Sequence, residues 1–233
     1  MTGKSLHFWP RNYQEAVAWQ EAQRHRVKIQ PLGLRPRLVA GVDAAFDREG
    51  RRILGAAALY SYPELDFLEE AGVADLCPFP YIPGLLAFRE APVLAEALGR
   101  LPCRPDVVLV DGQGIAHPRG LGIASHLGVM LNIPTIGVAK SRLVGEGAEP
   151  GPEAGAAAPL YWEGKVVGLI LRTRAKVKPL YLSVGHLITL EECRQITMGC
   201  VTRYRLPLPL RHADLLSRRL RRNATAAQPE ALA

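Results

Sequence analysis

Two aspartates lie in strongly apolar segments of the sequence, where a charged side chain is unexpected. Asp43 is inside the run Leu38–Phe46, and Asp111 directly follows the run Val107–Val110. An ionised carboxylate in such surroundings is unfavourable unless a cation or hydrogen-bond donors meet it. Because Mg²⁺ prefers oxygen ligands, the pair predicts a divalent-metal site. On a basic chain, such a site indicates phosphodiester chemistry. Ordinary ion pairs or caps are the alternative.

Two further carboxylates are candidates for the same site, since each lies beside an apolar segment. Glu90 directly follows Arg89, and an ion pair with that arginine is the competing explanation. Asp214 lies in a segment, 211–222, whose pattern predicts a helix. Taken alone, its position favours a solvated helix face.

A glycine-rich segment with the sequence GQGIAHPR follows Asp111. Open α/β sheets bind ligands at the carboxyl ends of their strands, and glycine lets the backbone approach a phosphate closely. We expect Gly112 and Gly114 to take part in such binding. His117 is a candidate to bind the scissile phosphate or to move a proton, and Arg119 to bind a neighbouring phosphate. A turn whose glycines only satisfy backbone geometry is the alternative.

Two other basic side chains are candidates for contact with a nucleic acid. Lys140 directly follows the apolar run 134–139, where it can neutralise charge on a pentavalent phosphorus or assist an attacking water. A surface lysine in a turn is the alternative. His186 could face a binding groove, although a core or turn histidine is an equal alternative.

The segment Pro80-Tyr81-Ile82-Pro83 forms a stiff apolar projection, because its two prolines restrict the backbone on either side of the Tyr-Ile pair. Proteins that open duplex DNA insert apolar wedges between base steps. The alternative is a proline-rich connection whose tyrosine packs in the core.

The composition favours an anionic partner for a chain with a sizeable core. The 233 residues are 48% hydrophobic, with a formal charge of +7 and a pI of about 9.5, and nucleic acid is the first candidate partner. The four cysteines have no C-x-x-C spacing, which argues against zinc ribbons and redox dithiols. Without a signal-peptide pattern in residues 1–10 or an apolar run long enough for a membrane span, we expect a cytoplasmic protein. Nothing in the sequence suggests an obligate dimer, so we expect a monomer. Basic residues that could contact phosphates are Arg172, Arg174, Lys176, Lys178, Arg218, Arg219, Arg221 and Arg222.

Alternating strand and helix patterns favour an α/β architecture in a single domain, residues 1–222. The segment 145–159 is rich in Gly, Ala, Glu and Pro and predicts a mobile surface loop. Residues 223–233 are expected to form a disordered tail. Predicted strands are 37–46, 53–60, 65–73, 107–111, 134–139, 166–172 and 180–184, and predicted helices are 12–29, 85–99, 121–131, 189–198 and 211–222.

Taken together, these motifs resemble the endonuclease V family of deaminated-base repair nucleases. The resemblance spans most of the chain from about Val39 to Asp214 and depends on the order of its elements. The matching segments are Gly41-Val42-Asp43, Pro80 to Gly84, Phe88-Arg89-Glu90, Val110 to Arg119, Pro134 to Lys140 and Gly185-His186.

The resemblance implies a ribonuclease H-like fold, with a central mixed β-sheet flanked by helices. It implies Mg²⁺-dependent cleavage, with Mn²⁺ as a substitute, of double-stranded DNA containing deoxyinosine. The nick falls at the second phosphodiester bond 3′ to the lesion and leaves 3′-hydroxyl and 5′-phosphate ends.

By position, the resemblance makes Asp43 and Asp111 metal ligands, Glu90 a third carboxylate at the metal, either directly or through water, and Tyr81 the wedge. The remaining catalytic positions are His117, Lys140 and Asp214.

Three alternatives remain open at this point. The first is an inosine-specific ribonuclease on the same scaffold, and the second is a binding module without catalysis. The third is a junction-resolving nuclease of similar fold. Single-stranded DNA and RNA also remain open as partners.

Overall fold

A computed structural model describes residues 9–77 and 79–226 of the chain. Within these ranges, eight strands form one mixed sheet in the order β3-β2-β1-β4-β5-β8-β7-β6. The strands are β1 (Leu38–Phe46), β2 (Arg52–Ser61), β3 (Phe67–Leu76), β4 (Val107–Val110), β5 (Thr135–Ala139), β6 (Ala157–Trp162), β7 (Lys165–Leu171) and β8 (Leu180–His186). The helices are α1 (Tyr13–Gln23), α2 (Ala87–Gly99), α3 (Ile123–Leu131), α4 (Leu190–Gly199) and α5 (Leu208–Ala226). The predicted central mixed sheet with flanking helices is confirmed.

The centre of the sheet is parallel, and both flanks are antiparallel. Strands β1, β4 and β5 run in the same direction, with Val42 beside Val110 and Val110 beside Gly137. Parallel strands are covered on both faces, which explains why their sequences are continuous apolar runs. Their register brings the residues that follow β4 and β5 to one edge of the molecule.

Helices cover both faces of the sheet. Helices α2 and α3 pack on one face, and α4 and α5 pack on the other. At Gly41 of β1, an added Cβ would lie 2.2 Å from the carbonyl carbon of Pro209, so α5 rests directly on the strand. Because side chains alternate along a strand, Asp43 lies on the same face as Gly41 and points towards α5.

The segment 145–159 is anchored, and the expectation of a mobile loop does not fit its contacts. The guanidinium of the buried Arg172 donates to the carbonyls of Gly151 at 2.6 Å and Pro150 at 3.0 Å, and to the Glu149 carboxylate at 2.9 Å. Arg172 is therefore occupied within the protein, which argues against its predicted contact with a phosphate. The last residues of the segment belong to β6.

The chain ends also differ from the sequence-based expectation. Helix α5 continues to Ala226, so the first four residues of the expected tail are helical, and residues 1–8 and 227–233 lie outside the described part. Helix α1 ends at Gln23 and is followed by a short 3-10 helix, Arg24–Arg26. No helix in the described ranges is both long and apolar enough to span a membrane.

Candidate active site

Strand register and the packing of α5 bring three aspartates together. Val42 pairs with Val110, so the residues after them, Asp43 and Asp111, are neighbours at the point where β4 ends. Helix α5 crosses the sheet at this point and supplies Asp214. One carboxylate oxygen from each of these aspartates lies within 4.8 Å of the other two. The sequence predicted convergence of the first two, and the structure adds Asp214 as the third carboxylate.

Glu90 approaches the same point from the opposite face of the sheet. It lies in the first turn of α2 and is buried. Burial, followed by the charges of Asp43 and Asp111, raises the pKa of Glu90 well above its ordinary value, while Arg89 acts in the opposite direction. Glu90 is therefore close enough for the charges of Asp43 and Asp111 to affect its pKa, but it is not one of the three mutually adjacent carboxylates.

A serine of α5 orients Asp43. The Ser217 hydroxyl, which is buried, donates to Oδ2 of Asp43 at 2.6 Å. Burial and then the nearby Asp111 raise the pKa of Asp43 to about 7, and the Ser217 hydrogen bond and Lys140 oppose that shift. Additional positive charge close to Asp43 would therefore favour its ionised form at neutral pH. The oxygen-only donor set fits Mg²⁺ or Mn²⁺.

Two basic side chains hold the carboxylates of Asp214 and Asp111 in place. Lys140 follows β5, and its Nζ contacts Asp111 and lies 3.0 Å from Oδ1 of Asp214. Arg218 donates to the same Oδ1 at 2.9 Å. Burial lowers the pKa of Lys140, but the contacts with both aspartates outweigh it, and the pKa is raised. Lys140 is therefore a charged group that, although exposed in the bend after β5, is held by two carboxylates.

A cavity of about 430 Å³ adjoins the carboxylates. Asp111 and Lys140 border it on one side, and Tyr81 and Gly84 on another. Glycine-rich segments form much of the remaining wall, where Gly112 and Gln113 follow Asp111. Gln113 donates through Nε2 to the Ser141 carbonyl at 2.9 Å, which joins the glycine-rich segment to the turn after β5.

Tyr81 projects from the protein while the residues around it are anchored. The Tyr81 side chain is 70% exposed, so it does not pack in the core. Phe79 is buried and Ile82 packs against the same apolar cluster, which includes Phe88. The segment Phe79–Gly84, called the wedge segment below, thus has a fixed base and an exposed tip. Pro80 and Pro83 are both exposed at that tip.

His117 and Arg119 both point at the wedge segment. Nε2 of His117 lies 3.0 Å from the Gly84 carbonyl, and Nη2 of Arg119 donates to that carbonyl at 2.8 Å. The Arg119 backbone N–H donates to Nδ1 of His117 at 3.2 Å. Burial and then Arg119 lower the pKa of His117 to about 4, so the neutral ring donates from Nε2. Both side chains contact the wedge segment, where the sequence had suggested phosphate contact.

The glycines of the GQGIAHPR segment have different roles. The Gly114 N–H donates to the Ser183 hydroxyl at 2.8 Å, and a Cβ there would lie 1.9 Å from the Val184 carbonyl oxygen. Gly114 thus allows close packing against β8, and its amide is not directed at a phosphate as predicted. Gly112 has a φ of +151° and lines the cavity, and its contact with a phosphate stays a prediction.

His186 does not lie at the cavity. Its side chain is buried at the end of β8, and its Nδ1 accepts the backbone N–H of Lys28 at 3.1 Å. Burial, followed by Lys28 and Arg26, lowers the pKa of His186. The burial and this hydrogen bond fit the alternative of a core histidine.

Sequence reasoning missed two residues of this region. Ser217 is three residues after Asp214, and a helical pattern places residues with that spacing on one face, so the spacing could have indicated it. Gln20 of α1 borders the cavity, and no local pattern pointed to it.

Comparisons with known proteins all indicate the same family. Residues 21–215 match the family model described as Endonuclease V. The chain is 47% identical over 212 residues to an endonuclease V of Trichormus variabilis, covering 91% of this chain and 96% of the relative. It is similar to the crystal structure of endonuclease V from Streptomyces avermitilis, with 43% identity, a TM-score of 0.89 and coverage of 94% and 97%. It is also similar to endonuclease V of Ciona intestinalis in complex with a 23mer DNA containing an inosine followed by a ribo-adenosine, with 27% identity, a TM-score of 0.79 and coverage of 91% and 97%.

Proposed function

The chain belongs to the endonuclease V family of nucleases, and on that premise we propose that it nicks DNA containing deoxyinosine by Mg²⁺-assisted hydrolysis. The cut falls at the second phosphodiester bond 3′ to the lesion, leaves a 3′-hydroxyl and a 5′-phosphate, and keeps the altered base in the strand. The convergence of Asp43, Asp111 and Asp214 beside the cavity carries this proposal. The inosine-containing DNA bound by the Ciona intestinalis relative supports the choice of substrate.

The three aspartates would hold the cation, with Glu90 as a further carboxyl group behind them. When bound, the cation polarises a phosphoryl oxygen and activates a water. Ser217 fixes the orientation of Asp43 through its hydrogen bond to Oδ2. Residues around metal ligands commonly orient them in this way. The three aspartates therefore form a preformed set of oxygen donors. Asp43 lies in β1 and Asp214 in α5, and Asp111 directly follows β4.

Lys140 supplies positive charge at the phosphate. Its ammonium group is held between Asp111 and Asp214 and borders the cavity. A phosphate that approaches the carboxylates must pass close to this group. Fixed positive charge of this kind stabilises the charge that develops in the transition state.

The cavity is the proposed pocket for the extruded base. Enzymes that act on one nucleotide of a duplex take it out of the stack into a fitted pocket. Tyr81, at the exposed tip of the wedge segment, would fill the space opened beside the lesion. His117 lines this pocket as a neutral ring, and we assign it to the pocket instead of the scissile phosphate.

The proposal is tested with a duplex that contains a single inosine. The protein should produce one nick, mapped at the second bond 3′ to inosine, with Mg²⁺ and none with EDTA. Asp43→Asn should abolish the nick and retain binding of the duplex in EDTA. Asp75→Asn, at an exposed position of β3, should cleave like the wild type. Full activity of Asp43→Asn would refute the metal assignment. If the wild-type protein bound the duplex without any nick in Mg²⁺, the binding-module alternative would be favoured.

Ribonucleotide-containing substrates belong in the same experiment. The Ciona intestinalis relative binds a DNA in which a ribo-adenosine follows the inosine. Rates are therefore compared on all-DNA, mixed and all-RNA strands that contain one inosine. Faster cleavage of RNA would favour an inosine-specific ribonuclease, and cleavage of branched DNA without inosine would favour a junction-resolving enzyme.

A further inference from the structure

Gln20 of α1 lies where three segments of the chain meet. Its side chain is 1% exposed. Nε2 donates to the carbonyls of Gly84 at 3.1 Å and Leu121 at 3.2 Å, and Oε1 accepts from Nε of Arg119 at 2.5 Å. We propose that Gln20 is a positioning residue that fixes the wedge segment against the glycine-rich segment and thereby sets affinity for lesion-containing DNA. This inference rests on the proposed function.

The three contacts require a glutamine amide in one orientation. A glutamine offers two N–H donors on one atom and an acceptor on the other. In the reversed orientation, Oε1 would face the carbonyl oxygens of Gly84 and Leu121, and the amide hydrogens would face the guanidinium of Arg119. Helix α1, the wedge segment and the glycine-rich segment are therefore joined through a single buried side chain.

The Gly84 carbonyl is the point where the wedge segment is held. It accepts hydrogen bonds from Gln20, from His117 at 3.0 Å and from Arg119 at 2.8 Å. Gly84 has a φ of +77°, and an added Cβ would lie 2.9 Å from Nη2 of Arg119, so the backbone there is close to its neighbours. Tyr81, three residues earlier, is 70% exposed. The wedge segment is thus rigid at its carboxyl end and projects at its tip.

A projecting segment binds more tightly when its conformation is fixed in advance, because less ordering remains to be done on binding. Without the Gln20 amide, the buried Leu121 carbonyl loses its donor and the Gly84 carbonyl loses one of three. Loss of a buried neutral hydrogen bond corresponds to about a five- to tenfold change in an equilibrium constant. Gln20 makes no hydrogen bond to Asp43 or Asp111. The inference therefore predicts that KM rises while kcat stays near its wild-type value.

Gln20→Met tests the inference, because methionine keeps the length of the side chain and removes its hydrogen bonds. Gln14→Met, at an exposed position of the same helix, is the matched control. On the single-inosine duplex, Gln20→Met should raise KM about five- to tenfold. Hydrogen exchange of the free protein, followed in a peptide that covers residues 79–86, should be faster in Gln20→Met and unchanged in Gln14→Met. Wild-type KM together with wild-type exchange would overturn the inference.

The route of the effect is tested by coupling to Tyr81. In a Tyr81→Ala background, Gln20→Met should add less than about a twofold change in KM, since contacting residues that act as a unit are not additive. Equal effects in both backgrounds would show that Gln20 does not act through the wedge, and would overturn the inference. If Gln20→Met does not fold, Gln20→Glu serves, because it keeps the acceptor for Arg119 and removes the donor. The exchange measurement needs no substrate, so a failure of the role inferred for Gln20 is distinguishable from a failure of the proposed function.

Discussion

Ser217→Ala should raise the Mg²⁺ concentration needed for half-maximal cleavage about 10- to 100-fold. The magnitude follows from the contact between Ser217 and Asp43, which joins Oγ to Oδ2 at 2.6 Å with the serine fully buried. A hydrogen bond to a charged group contributes about 1.5–3 kcal/mol. Since about 1.4 kcal/mol is a factor of ten in affinity, the loss of this hydrogen bond corresponds to about 10- to 100-fold weaker binding of Mg²⁺.

The pH dependence of cleavage should change in a defined direction. Asp43 has a pKa of about 7, and the Ser217 hydrogen bond acts to lower it. Removal of the hydroxyl therefore raises the pKa of Asp43 further. Cleavage requires the ionised carboxylate, so the pH below which activity is lost should move upward. Higher Mg²⁺ should move it back, because protons and the cation compete for the same oxygens.

The assay is the initial rate of nicking of a single-inosine duplex over a matrix of Mg²⁺ concentration and pH. Ser125→Ala is the matched control, since Ser125 is also fully buried and its hydroxyl has no hydrogen-bond partner among the described residues. An unchanged Mg²⁺ requirement in Ser217→Ala would refute the reasoning. Activity that saturating Mg²⁺ does not restore would show that Ser217 acts on the fold instead of Asp43.

Three further predictions concern separate parts of the molecule. Tyr81→Ala should weaken binding of the inosine duplex in EDTA more than it slows single-turnover cleavage, because the exposed ring acts before the chemistry; unchanged binding would contradict the wedge. Burial lowers the pKa of His126 to about 3, so the unfolded chain takes up the proton first as pH falls below the ordinary value of 6.5, and stability is lost in that window. The free energy of unfolding of His126→Leu should therefore fall by about 2 kcal/mol less than that of the wild type between about pH 8 and pH 5, as measured by urea unfolding. Arg172→Met should lower the free energy of unfolding by roughly 2–4 kcal/mol, because it leaves the buried Pro150 carbonyl unpaired and removes the hydrogen bond to the Gly151 carbonyl. It should leave the KM for DNA unchanged, and a raised KM would support a role in DNA contact.

Local sequence patterns were sufficient for most of the elements. The apolar run around Asp43 and the run before Asp111 became neighbouring strands, because continuous apolar segments of that length are buried on both faces of a sheet. Convergence of these two aspartates followed from the same patterns. The two prolines around Tyr81 indicated a stiff projection, and the tyrosine is indeed exposed. Each of these features depends on residues that are close together in the sequence.

Hydrogen-bond partners of the site could not be obtained in this way. Ser217 and Asp43 are 174 residues apart, and Gln20 and Gly84 are 64 apart. The position of Asp214 in the aspartate cluster depends on how closely α5 rests on Gly41, and no pattern within α5 records that distance. His117 contacts the wedge segment because the fold places the Gly84 carbonyl beside it.

The sequence by itself therefore determined most of the strands, the exposure of Tyr81, the family and the acidic character of the site. Only the tertiary structure decided which side chains share a hydrogen bond or an ion pair. The physical reason is that burial and backbone geometry follow from neighbouring residues, whereas directional contacts over about 3 Å depend on the packing of elements that the chain brings together from far apart.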